Sequence, residues 1–70
     1  MPLALAEKGK TEVIRKVGGN PEVRNHLEKL GFVPGNQVVV LNETQGNLIV
    51  NILESRIAIG KDMAMKIMIG

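Results

Sequence analysis

Ser55, His26 and Asp62 could supply a nucleophile, a base and an orienting acid, and each occurs only once as its residue type. A hydrolytic serine needs an exposed strand-to-helix elbow of the G-x-S-x-G kind. Ser55 sits instead in Leu53-Glu54-Ser55-Arg56, where a serine hydroxyl serves a turn between strands. No catalytic residue is assigned. His26 and Glu22 lie four apart on one helical face, but two ligands fall short of the four that a structural zinc site uses, and the chain has no cysteine. No metal ligand is assigned. Gly18-Gly19-Asn20 precedes a helix start, where free N–H groups can hold an anion. Neither the P-loop nor the dinucleotide spacing is present, and Pro21 removes one donor, so this is a turn and a cap and no cofactor is assigned. An arginine acting on transferring phosphate would be Arg15, Arg24 or Arg56. Arg24 can pair with Glu28 four residues on, Arg56 begins a strand, and none lies in a long flexible loop.

The composition narrows the partners. Phe32 is the sole aromatic, which excludes a stacking platform for single-stranded nucleic acid. The net charge is +2, with short basic clusters at Lys8 and Lys10 and at Arg15 and Lys16 but no run of five or more like charges, so no nucleic acid is expected. Pro2 to Ala6 is too short for a secretory apolar region, and no apolar run nears the ~20 residues that cross a bilayer. Without cysteine to mark an oxidising compartment, a cytoplasmic location is expected, with no direct membrane insertion. Seventy residues allow one domain, residues 1 to 70, whose core must come from the 44% of residues that are hydrophobic.

The elements follow from periodicity and punctuation. Thr11 to Val17 reads as a strand in which Ile14 and Val17 can both face inward only if a bulge falls near Arg15 or Lys16. Asn20-Pro21-Glu22 starts a helix from Pro21 to Leu30, with Val23, Leu27 and Leu30 as its apolar stripe and Gly31 as its left-handed cap. Pro34-Gly35 suits the centre of a type II turn. Gln37 to Leu41 reads as a strand, Asn42 to Asn47 as a hairpin loop, and Leu48 to Leu53 as the returning strand. Glu54-Ser55 connects to a strand from Arg56 to Ile59. Gly60 to Met63 forms a helical turn, and Met65 to Ile69 closes as the last strand. About five short strands and one helix predict a mainly β fold, a strongly bent sheet closing into a small barrel with the helix across one end.

If Val38, Val40, Leu48, Val50 and Ile52 face inward, Val39 and Ile49 face out and could be cross-strand neighbours. Met65 and Met68 can also leave the core face, unless Leu3 and Leu5 fold over the patch. Exposed apolar area of this kind marks an interaction surface.

Leu3, Leu5 and Gly9 lead the chain, followed by Val13-Ile14-x-x-Val17, Gly19 and Arg24-x-x-Leu27-x-x-Leu30-Gly31-Phe32-x-Pro34-Gly35. Val38-x-Val40, Gly46, Val50, Arg56-Ile57-Ala58-Ile59 and Ala64-x-x-Ile67 complete a pattern that resembles the FeoA family over nearly the whole chain. The chain departs from it at His26, where the family often has Arg or Lys, and in the loop Asn42 to Asn47. The resemblance implies an SH3-like barrel with an inserted helix. It also implies an accessory role in bacterial ferrous-iron uptake, through binding the cytosolic G-protein portion of the membrane ferrous-iron transporter. Similar domains end metal-dependent repressors, which makes a metal-sensing module one alternative, and because small barrels host many functions a small-barrel RNA-binding module is the other. The expected contact residues are Val39 and Ile49 on the hairpin, and Arg24, His26, Phe32 and Val33 around the helix and its exit. Docking or allosteric regulation is favoured over an inserted arginine, and the oligomeric state is left open.

Overall fold

The computed structural model describes residues 1–70. A short 3-10 turn, Leu3–Leu5, is followed by strand β1 (Thr11–Val17), helix α1 (Pro21–Lys29) and strands β2 (Gln37–Thr44), β3 (Asn47–Ile52) and β4 (Ser55–Gly60). A four-residue helix α2 (Lys61–Ala64) and strand β5 (Ile67–Ile69) complete the chain. The five strands form one antiparallel sheet in the order β4-β3-β2-β1-β5. This is the mainly β, SH3-like arrangement expected, with one difference. β4 and β5 end the hydrogen-bonded order without pairing with each other, and α2 lies between them in the sequence.

Local chemistry sets the elements. Asn20 caps α1, its side-chain oxygen accepting from the Val23 N–H at 2.8 Å, with Pro21 in the first turn. At the other end the Gly31 N–H donates to Glu28 and the Phe32 N–H donates to Leu27, both at 3.0 Å, with Gly31 at φ +105°. That is a Schellman ending, in which the residue after the glycine packs back on the helix. The Asn36 N–H then donates to the Val33 carbonyl at 3.1 Å across Pro34-Gly35, and Gly35 takes φ +95°, as a type II turn requires.

The bulge in β1 falls between Ile14 and Lys16, so Ile14 and Val17 are both buried. A second bulge between Val40 and Asn42 was not expected. It lets β2 continue to Thr44, so the hairpin connection shrinks from Asn42–Asn47 to Gln45 and Gly46. The next turn moves to Leu53 and Glu54, β4 lengthens at both ends, and β5 shortens to three residues behind α2. Leu53 takes φ +56°, the only non-glycine residue with positive φ.

One cluster of fourteen buried residues forms the core. It holds the inward residues of β2 and β3 together with Leu3, Leu27, Phe32, Ala64, Ile67 and Ile69. Leu27 is the only buried residue of α1, while Val23 and Leu30 pack partly buried beside it, so the helix closes one end of the core as expected. Val13 is exposed, because the strand parity that buries Ile14 turns Val13 out.

Lys61 at the start of α2 reaches Glu43 in β2 at 2.8 Å. The hydrogen bond and then the charge of Lys61 hold the Glu43 carboxyl below its ordinary value of 4.5. A depressed folded pKa gives a contribution that is present above 4.5 and is lost as pH falls through the folded value. The Glu43 carboxyl should therefore titrate by NMR with a midpoint below 4.5, and Lys61→Ala should bring it back up. A midpoint that ignores Lys61→Ala would show the contact absent in solution.

Candidate docking surface

The expected contact residues separate into three settings. Val39 and Ile49 lie on the outer face of the β2–β3 hairpin, both half-buried. They are not directly opposite: Val39 faces Asn51 and Thr11, while Ile49 faces Asn42 and Ala58. The register of Val39 with Asn51 makes them diagonal neighbours at best, and the bulge between Val40 and Asn42 moves the partner of Ile49 on to Asn42. Arg24 and His26 are exposed on α1. The pairing expected between Arg24 and Glu28 is absent, since the ion pairs are Lys10 with Glu12 and Lys61 with Glu43. Val33 is half-buried at the helix exit.

Phe32 is a correction. It is 0% exposed and among the largest fully buried side chains, so it cannot touch a partner in the folded chain. The Schellman ending turns it back onto Leu27, which is also 0% exposed.

His26 lines an open groove of about 500 Å³ between the two helices, together with Glu22, Val23, Asn25, Lys29 and Met63. Four of these six residues are polar or charged, which suits water better than an apolar ligand. Glu22 and His26 do share this groove, but no three His, Cys, Asp or Glu side chains gather anywhere as a metal set. Neither Ser55 nor His26 makes a side-chain hydrogen bond, and the Asp62 carboxylate accepts only from the Met63 N–H.

The exposed large apolar residues are Met1, Leu5, Val13, Leu53, Met65 and Met68. Met65 and Met68 leave the core face as the strand pattern suggested, and of the two N-terminal leucines Leu3 is buried while Leu5 stays outside. Leu53 was missed, because it reads as the last residue of an apolar strand. Leu53-Glu54 is a two-residue hairpin turn with no Gly, Asn or Asp to mark it in the sequence.

The model of the FeoA domain family matches residues 1–70. A protein of Methanocaldococcus jannaschii named for Fe(2+) transport, as transport protein A, is 32% identical over 68 residues, spanning 97% of this chain and 83% of that protein. A crystal structure described as an iron uptake regulatory protein, FeoA, superposes with a TM-score of 0.90 at 27% identity, covering 99% of this chain and 93% of that one. The zinc complex of Stenotrophomonas maltophilia FeoA, described as an SH3 domain protein, shares the fold with a TM-score of 0.87 at 22% identity, covering 100% and 89% of the two chains.

Proposed function

Since the chain belongs to the FeoA domain family, a family of ferrous-iron transport, we propose that it is a non-enzymatic, cytoplasmic accessory protein that docks on the cytosolic G-protein portion of the membrane ferrous-iron transporter. The observation that carries this reading is the match of the family model along all 70 residues. Val39 and Ile49, half-buried on the outer face of the hairpin, leave apolar surface there that supports a role in contact. Docking uses Val39 and Ile49 on the hairpin and Arg24, His26 and Val33 around the helix. Arg24 has no ion-pair partner of its own, so it can meet an acidic group without first giving one up.

The test is a titration of the transporter's soluble G-protein domain into the ¹⁵N-labelled chain. Amide shifts should move at Arg24, His26, Val33, Val39 and Ile49. Arg24→Ala, on the exposed face of α1, should weaken binding by about tenfold, the order expected of an anchoring arginine. Shifts confined to β1 and β5, or none at high concentration, would remove the assignment.

A further inference from the structure

The two outer edges of the sheet are treated differently. The edge of β5 is taken by the start of the chain: the Met1 amine donates to the Ile69 carbonyl at 3.0 Å, the Ile69 N–H donates to the Met1 carbonyl at 2.7 Å, and Pro2 bridges Met68. The outer edge of β4 has no such cover, since β4 pairs with β3 alone. Ser55 faces Ile52 across the two-residue turn, so the odd-numbered residues of β4 exchange bonds with β3. The Lys61 N–H continues that series by donating to Gly46 at 2.8 Å. Arg56 and Ala58 therefore aim their N–H and C=O groups away from the sheet, as does the N–H of Gly60, whose carbonyl also starts α2 as its N-cap. Proteins blunt such an edge with proline, a bulge or inward charge. The ladder of β4 has no register shift, and its sequence Ser-Arg-Ile-Ala-Ile-Gly carries neither a proline nor an inward charge.

We propose that β4 is the surface through which two copies of this chain pair, antiparallel, about a two-fold axis at Ala58. Directly opposite residues share a face of the sheet, so an outward-bonding residue must meet another of its own kind. Centring on Ala58 pairs all three: Ala58 with its own counterpart, and Arg56 with Gly60 of the other copy. Side-chain chemistry selects this register. An added Cβ on Gly60 would lie 2.7 Å from the Asp62 carboxylate oxygen, so Asp62 covers Gly60 on the face that Arg56 also occupies. Arg56 is exposed and has neither an ion pair nor a side-chain hydrogen bond inside the chain, and Asp62 has no cation partner. The two-fold brings Arg56 of each copy onto the Asp62 carboxylate of the other, twice. Ile57, half-buried, then meets Ile59 of the other copy on the inner face. This pairing is independent of docking on the transporter, and its test uses the chain alone.

Sedimentation velocity up to about 1 mM, the range of weak interfaces, should show a monomer–dimer equilibrium. In hydrogen exchange the amides of Arg56, Ala58 and Gly60 should gain protection with concentration, while that of Lys61 should not. Arg56→Asp and Asp62→Arg should each raise the dissociation constant about tenfold, because each replaces two attractive pairs by two repulsive ones. Mixing the two variants should restore association, since the heterodimer again places opposite charges at both contacts. A chain that stays monomeric at all concentrations overturns the proposal. So does a dimer indifferent to both variants, or a mixture of folded variants that stays monomeric.

Discussion

Phe32→Ala is expected to unfold much of the population at 37 °C, with a loss of about 3–5 kcal/mol. A chain of this length has roughly 4–10 kcal/mol to lose, taking ~0.05–0.15 kcal/mol per residue. The cost lies at the high end because the ring is fully buried against a core that cannot shift freely to fill the space. It also locks the end of α1 by following Gly31 in the Schellman ending, so the cavity would open where the helix is tied to β2. The urea midpoint measures the loss. A midpoint close to that of the parent chain would show that Phe32 lies outside the core in solution. The result bears on docking too: a Phe32 variant that fails to bind the transporter domain reports unfolding, whereas Val33→Ala, at a half-buried position, tests the contact itself.

Legibility in the sequence followed the presence of a local chemical mark. Asn20-Pro21-Glu22 names its own helix start, and Pro34-Gly35 its own turn. Ile14 and Val17 demand a bulge because both are apolar at positions of opposite parity in one strand. The bulge near Leu41 carries no such mark. Val38 to Leu41 is apolar at every position, so the sequence offers no parity to break, and the shortened hairpin connection has no mark of its own. Leu53 hides its turn because positive φ is ordinarily announced by Gly, Asn or Asp. Phe32 was placed at the surface from its position between a cap and a turn. The five-residue step from Leu27 to Phe32 was nevertheless the signature of a residue folded back on the helix. The approach of Asp62 over Gly60 depends on how α2 leaves β4, which no spacing reveals.

Gly31→Ala should cost about 2–5 kcal/mol, from two sources that a double variant can separate. The first is the backbone: φ is +105°, a conformation that costs an L side chain roughly 1–2 kcal/mol. The second is space, since a Cβ at Gly31 would lie 2.9 Å from one Leu53 methyl, 3.2 Å from its Cγ and 3.3 Å from a carbon of Ile52. Overpacking of that kind costs about 1–3 kcal/mol. Leu53 is 67% exposed and so has room to swing away, but its backbone is itself held at φ +56°, which limits how the turn can yield. Leu53→Ala removes the two nearest of these atoms and leaves the Gly31 dihedral untouched. The double variant should therefore be more stable than the sum of the single changes predicts, by about 1–2 kcal/mol, and chemical denaturation of all four chains measures that coupling. Strict additivity would place the whole cost in the backbone and show that the turn at Leu53 does not rest on the helix end. The coupling expected here ties the exit of α1 to the β3–β4 turn, so the glycine serves the fold twice, once by its dihedral and once by leaving room for a neighbour distant in sequence.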